Sequence, residues 1–318
     1  MEGWYRSNVL SSIGWSLDKV TPLLDLATDY KKCMAQRLDV TSRSRARCLT
    51  LFYEPSTRTR LSFEAASHHL GISVSSVQNA MQDSSARKGE TLEDVGRILS
   101  GYADVVVIRH PELGAARRFA STATIPVINA GDGAGEHPTQ ALVDLFTIRE
   151  AFGSFKGLKV GLCGDLLNGR TIHSLLRLLV GFGCEIYAIS PEELGIPREI
   201  VAKIQGASDA IRFELDLRKV LPHLDVLYMT RVQKERFHDI DVYNRVKDIY
   251  RLTRADLENA CDHLRILHPL PRVDEVDPDV DNDSRALYFT QSSNGVPVRM
   301  ALLSSILGLT DRVSPGVA

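Results

Sequence analysis

Residues 56–60 read Ser-Thr-Arg-Thr-Arg. They follow a β-prone apolar run, Cys48 to Tyr53, and precede a helix-period pattern that includes Leu61, Phe63, Ala65, Ala66 and Leu70. A helix N-terminus offers unpaired backbone N–H groups and the positive end of the macrodipole, which together make an anion site whose usual guest is phosphate. An ordinary N-cap needs one hydroxyl and gains nothing from an arginine at the positive helix end. Ser56, Thr57, Arg58 and Thr59 are therefore read as phosphate ligands, with Arg58 supplying a fork-shaped cation. Arg60 is spaced to pair with Glu64 one turn later and is read as structural.

Other groups able to do chemistry recur along the chain. DVVVIRHP places Arg109 directly after a strand too apolar to be solvated on either face, so its guanidinium must emerge at the sheet rim as a second anion clamp; His110, before Pro111, reads as a turn residue. NAGDGAGEHPTQ combines a glycine-rich loop, a first-turn proline, and His137 with Gln140 three residues on, a spacing that puts both on one helical face. A neutral imidazole there can donate to a developing oxyanion. Asp132 and Glu136 lack an accompanying ligand pattern, so no metal is assigned. The glycines 161, 164 and 169 of GLCGDLLNGRTIHS do not give the dinucleotide fingerprint, no phosphate-loop lysine motif occurs, and Arg170 at a helix start remains as a carboxylate holder. MTRVQKER supplies Arg231 and Gln233 on one side of an extended segment. Ser84 and Lys88 in SSARKGET read, on spacing alone, as a solvated loop.

These groups need a scaffold that brings strand ends together. From Cys48 onward strand-like and helix-like runs alternate, first as SVSSV, TLEDVGRILSGY, DVVVIRH, AARRFAS, IPVINA and PTQALVDLFTIREAF. The alternation resumes as LKVGLCGD, a helix from Thr171 to Val180, CEIYAIS, PREIVAKIQ, DVLYMTR, RADLENACDHL and RILHPL. Such alternation implies an α/β protein with two doubly wound parallel-sheet domains. The expected division is 1–152, 153–294, and a C-terminal helix over 295–318 returning to the first domain. A helical preamble with Leu17, Val20, Leu23, Leu24 and Leu26 on its apolar face precedes them. Ligands of open parallel sheets bind beyond the carboxyl ends of the strands, where strand order switches. Arg58, Arg109, His137, Arg170, Arg231 and His268 all fall just after expected strand ends or at the helix starts that follow.

Bulk properties set limits. The 318 residues are 44% hydrophobic and 25% charged, with a formal net charge of −2, which gives no general attraction to nucleic acid or to an anionic membrane. Five scattered cysteines, an odd number with no Cys-x-x-Cys pair, argue against a disulfide framework or zinc site and fit a cytoplasmic location. The N-terminal segment lacks the order of a signal peptide, and no run has membrane length.

The segments STRTR, SSARKGET, RHP, NAGDGAGEHPTQ, GDLLNGRTIHSL, LYMTRVQKER and HPLPR, in this order from about Trp4 to Leu309, resemble the aspartate carbamoyltransferase branch of the carbamoyltransferase family. The ornithine branch carries a cysteine where this chain reads HPLP. The resemblance implies transfer of a carbamoyl group from carbamoyl phosphate to the amine of L-aspartate, for pyrimidine biosynthesis, without cofactor or metal. It implies that Ser56, Thr57, Arg58 and Thr59 bind the phosphate and that Arg109 bridges phosphate and carbonyl. His137 polarises the carbonyl with Thr59, while Gln140 and the backbone near Leu270 and Pro271 hold the carbamoyl amine. Arg170, Arg231 and Gln233 hold the two carboxylates of aspartate. Family members are homotrimers with active sites between domains and between subunits, so Ser84 and Lys88 are expected to come from a neighbouring chain; regulatory subunits or fusion partners are further candidates. In one departure, Leu167 and Asn168 stand where familiar members carry a lysine and then usually an aromatic, histidine or methionine. That lysine belongs to domain closure more than to chemistry, so activity is expected to survive.

Three other readings are weighed. A transferase for another amine is disfavoured by the second carboxylate clamp, a noncatalytic binding homologue by the completeness of the site, and a dehydrogenase by the failed glycine fingerprint.

Overall fold

The computed structural model describes residues 3–41, 45–233, 237, 239–246 and 249–310. The chain divides into a unit of Met1–Phe146 with Asn294–Ala318 and a unit of Thr147–Ser293. Lys234 to Arg236, expected as part of the MTRVQKER segment, and the last eight residues of the expected C-terminal helix lie outside the described residues.

The first unit is built on four parallel strands, β1 (Arg47–Phe52), β2 (Ser73–Val77), β3 (Val105–His110) and β4 (Val127–Asp132), in the order β2-β1-β3-β4. The valine-rich run of β3 pairs with β1 from Cys48↔Val105 to Phe52↔Arg109. It is buried from Val105 to Ile108, as an interior parallel strand covered on both faces requires. Leu49, Leu51, Val106 and Ile108 pack with Leu92, Val95 and Phe119 of the crossover helices. The helix Leu17–Ala35 starts where the Ser16 hydroxyl accepts from Lys19 N–H. It buries Val20, Leu23, Leu24 and Leu26, whereas Leu17, its first residue, stays 39% exposed. Ahead of that helix, Val9 forms a parallel bridge to Ile128 beside β4, an addition that the apolar pattern did not signal.

The second unit has five parallel strands, β5 (Lys159–Cys163), β6 (Glu185–Ile189), β7 (Ile211–Glu214), β8 (Val226–Met229) and β9 (Arg265–Leu267), in the order β7-β6-β5-β8-β9. The helix Arg170–Gly181 buries Ile172, Leu175, Leu176, Leu178, Leu179 and Val180. One expected helix is shortened and one strand is added. RADLENACDHL forms only the short turn Asp256–Asn259, because Thr253 and Arg218 hold the Asp256 carboxylate and compete with a continuing helix ladder. IRFE, which carries no apolar run, adds β7 at the sheet edge, where only Ile211 is fully buried. No described helix is long and apolar enough to cross a membrane. The five cysteines are free, and burial pushes the Cys48 thiol up to about 12.

Two local features hold these sheets where their ends matter. Arg60 makes a two-pronged pair with Glu64 at 2.7 and 3.0 Å, as its spacing predicts, and Thr50 of β1 also donates to Glu64. Gly164, just past β5, has φ +114°, and a Cβ there would lie 2.2 Å from the Thr230 carbonyl oxygen. Thr230 in turn bonds the Cys163 carbonyl through both its N–H and its hydroxyl. Arg60→Ala is expected to cost about 1–3 kcal/mol in denaturant unfolding, because Glu64 loses its charged partner in a half-buried position. Gly164→Ala is expected to cost at least about 2 kcal/mol, since it combines a disfavoured backbone conformation with a backbone clash. A wild-type unfolding midpoint in either variant would contradict the corresponding account.

Candidate active site

In each unit the strand order reverses once, between β1 and β3 in the first and between β5 and β8 in the second. The candidate arginines lie at or after the ends of these strands, whereas His137 and Gln140 follow β4 and Leu270 and Pro271 follow β9.

After β1 the helix Thr57–His69 begins at once. Ser56 is its N-cap, with extended backbone (φ −159°), yet its hydroxyl makes no capping bond. The first-turn N–H groups and the hydroxyls of Ser56 and Thr57 therefore form one donor cluster at the positive helix end. Thr59 is buried, and partial desolvation lowers the pKa of Arg58 from its usual value. Arg109 lies within β3, paired with Phe52 of β1, one residue before the strand's end and not directly after it. Its side chain is 11% exposed and donates to Glu54 at 3.3 Å and to the Ala130 carbonyl at 3.5 Å. The predicted cation thus stands at the rim, held in place by an acid that sequence reading did not single out. His110, expected as a turn residue, is instead the last residue of β3, paired with Asp132 of β4, and its Nδ1 accepts from Glu112 N–H at 3.0 Å as the chain leaves the strand.

The glycine-rich loop is ordered by the two acids considered for a metal. Asp132 accepts from Gly114 N–H, Glu136 N–H and the Asn129 amide, and Glu136 accepts from Ser11 and Ser12. Their carboxylates build the loop. His137, 4% exposed, lies just before the helix Pro138–Phe152, so it does not share a helical face with Gln140 as the three-residue spacing suggested. Gln140 N–H instead donates to the His137 carbonyl at 3.0 Å and is shared with the ring Nδ1 at 3.3 Å, close to the Thr139 hydroxyl at 3.4 Å. A ring nitrogen facing a backbone N–H must carry a lone pair, so in the neutral ring the proton sits on Nε2 and can be donated.

Gln140 donates through Nε2 to the fully buried Asp144 one turn later at 2.8 Å. A carboxylate only accepts, so this bond fixes the amide with Oε1 as its remaining acceptor. Arg299, buried over the Phe63 ring at 4.9 Å, adds positive charge near Asp144; burial holds its pKa down at about 10. Ser84 donates to the Ala80 carbonyl, and Lys88 is exposed.

In the second unit, Gly164 leads into the buried Asp165, which gathers the neighbouring loops. Asp165 accepts from Asn168 N–H at 2.9 Å, from the Asn168 amide, and from Gln233 N–H at 3.4 Å. Burial pushes its carboxyl up, and these hydrogen bonds oppose that shift. Gln233 Nε2 donates to the Asn168 carbonyl at 3.1 Å, and Arg170 N–H donates to the same oxygen at 2.9 Å. The structure therefore ties the segments carrying Arg170 and Gln233 together through Asp165 and Asn168. Arg231 and Gln233 lie on a half-buried segment after β8 that is neither helix nor strand. After β9, Leu270 adopts φ +54° and a cis bond joins it to Pro271.

Sequence reading missed Glu54, Asp144 and Asp165, the acids that orient these donors. Asp144 alone had a local signal, one helical turn after Gln140.

The chain resembles known proteins over most of its length. Residues 7–150 match the aspartate/ornithine carbamoyltransferase carbamoyl-P binding domain, and residues 156–306 match the Asp/Orn binding domain. The aspartate carbamoyltransferase catalytic subunit of Thermococcus gammatolerans is 47% identical over 96% of this chain and 99% of its own length. That of Methanopyrus kandleri is 52% identical over 81% of this chain and 84% of its own. Among solved structures, aspartate transcarbamoylase from Trypanosoma cruzi in complex with N-(phosphonacetyl)-L-aspartic acid superposes with a TM-score of 0.91 at 36% identity, covering 96% of this chain and 98% of that one. The catalytic subunit of M. jannaschii aspartate transcarbamoylase gives 0.86 at 42% identity, covering 95% and 98%. With both of its domains matched and its relatives aligned over most of their length, the chain belongs to the aspartate/ornithine carbamoyltransferase family, on the branch of the aspartate carbamoyltransferase catalytic subunits.

Proposed function

We propose that the chain transfers the carbamoyl group of carbamoyl phosphate to the amine of L-aspartate, giving N-carbamoyl-L-aspartate and phosphate. The observation that carries this reading is the pairing of two kinds of anion holder. A hydroxyl-rich helix start flanked by Arg109 follows one switch point, and Arg170, Arg231 and Gln233 follow the other.

Ser56, Thr57, Arg58 and Thr59 take the phosphate, and Arg109 spans phosphate and carbonyl oxygen. The neutral amine of aspartate attacks the carbamoyl carbon; as the C–N bond forms, the carbonyl electrons move onto oxygen. Thr59 and the Nε2–H of His137 stabilise that oxyanion. Collapse breaks the C–O bond to phosphate, and the departing phosphate takes the proton of the attacking amine. Gln140 Oε1 and the backbone at Leu270 and Pro271 accept from the carbamoyl NH₂. Arg170, Arg231 and Gln233 bind the aspartate carboxylates and so orient the amine, a contribution of position more than of reactivity.

Ser84 and Lys88 are assigned to the active site of a neighbouring copy in a homotrimer, a role supported by the exposure of Lys88 on its own chain. The catalytic-subunit names of the relatives support a regulatory partner as well. Free cysteines and the use of carbamoyl phosphate support a cytoplasmic location and a place in pyrimidine biosynthesis.

A colorimetric assay with carbamoyl phosphate is expected to give product with aspartate and none with ornithine; no product from aspartate would refute the reading. His137→Ala is expected to lower turnover roughly 10²–10³-fold with modest change in binding. Arg58→Ala and Arg231→Ala are expected to weaken the use of carbamoyl phosphate and of aspartate respectively, and unchanged kinetics would discard each assignment. Co-renaturing inactive Lys88→Ala and His137→Ala chains is expected to restore activity, because mixed trimers contain some sites with both residues intact. No recovery would place Lys88 in its own chain's site.

A further inference from the structure

His268 stands at a strand end and has no part in the chemistry above. It is 2% exposed, and its backbone N–H is held by Gln291 Oε1 at 2.8 Å. Its Nδ1 accepts from Leu270 N–H at 2.8 Å, and its Nε2 lies 2.7 Å from Glu275 Oε1. The other carboxylate oxygen of Glu275 accepts from Val273 N–H and Asp274 N–H, both at 3.1 Å. Burial pushes the Glu275 carboxyl up, but the hydrogen bonds from His268 and the backbone more than reverse this, so it sits below its ordinary range.

These contacts settle the ring. Facing a backbone N–H, Nδ1 can only accept, so the proton sits on Nε2 and is donated to Glu275. The turn so held is one that a side chain bearing a Cβ resists, because Leu270 lies in the left-handed region at φ +54°. A strained residue whose neighbours over-determine it, beside a proposed ligand contact, indicates stored positioning.

We propose that Glu275 and His268 are positioning residues: Glu275 fixes the Nε2–H tautomer of His268, and Nδ1 then holds the left-handed turn that aims the Leu270 backbone at the carbamoyl amine. This rests on the proposed role of Leu270. Glu275→Gln is nearly isosteric but turns an NH₂ toward either the ring or the two backbone N–H groups. If it faces the ring, His268 must move its proton to Nδ1, against Leu270 N–H.

Three measurements on the full chain test this. Ring ¹⁵N shifts of His268 are expected to report Nε2–H in the wild type and to change in Glu275→Gln. The variant is expected to lose about 10- to 100-fold in kcat with little change in the aspartate KM, as a misplaced contact to the other substrate requires. Leu270→Gly supplies the backbone freedom that the brace otherwise enforces, so the loss due to Glu275→Gln is expected to shrink in that background. An Nδ1–H ring in the wild type, or an equal loss with Leu and Gly at 270, would overturn the proposal. The spectrum is read whether or not the chain turns over, so failure of carbamoyl transfer sinks the functional reading while a wrong tautomer sinks the brace.

Discussion

Parallel strands all present their carboxyl ends at the same edge of a sheet, and this directional constraint organises everything else in the molecule. Where strand order reverses, the chain leaves adjacent strands toward opposite faces, and the backbone there cannot close over the edge. Each unit has one such place, between β1 and β3 and between β5 and β8. Helix starts at these edges supply unpaired N–H groups, so the fold itself favours anions before any side chain is chosen. The hydroxyls and arginines then add to a field that the backbone already provides.

What those side chains require is orientation, and buried or half-buried acids provide it. Glu54 holds Arg109, Asp144 holds Gln140, Asp165 joins the Asn168 and Gln233 segments, and Glu275 holds His268. A charge taken out of water is tolerated only when well paired, so each acid is confined to a narrow geometry and confines its partner in turn. Asn168 shows how this works. Its side-chain amide contacts both oxygens of Asp165, and its backbone carbonyl receives Gln233 and Arg170, so the side chain holds in place a turn whose backbone ties two ligand-bearing segments.

Much of this was legible in the sequence because the signals were local. The run DVVVIRH could only be an interior strand, and five residues of mixed hydroxyl and guanidinium chemistry could hardly be an ordinary cap. His137 was placed correctly at the helix start, although its spacing from Gln140 suggested a shared face where the ring in fact meets the Gln140 N–H. The orienting acids were mostly illegible because their partners are distant in sequence: Glu54 lies 55 residues from Arg109, and Asp165 lies 68 from Gln233. The strand Ile211–Glu214 escaped notice for a different reason. An edge strand needs few buried side chains, and Phe213 is left largely exposed.

The bond from Gln140 to Asp144 also bears on which acyl phosphate the site can accept. With one N–H donated to a buried carboxylate, the Gln140 amide is fixed in orientation and keeps Oε1 as its acceptor for a ligand. On the proposed assignment, acetyl phosphate would bring a methyl group to that oxygen and leave a desolvated carbonyl without a donor. Sites built around a substrate N–H reject analogues lacking it by about 10⁴–10⁵, far more than shape alone achieves between groups of nearly equal size. A single orienting acid thereby turns an otherwise ambivalent amide into a filter for nitrogen over carbon.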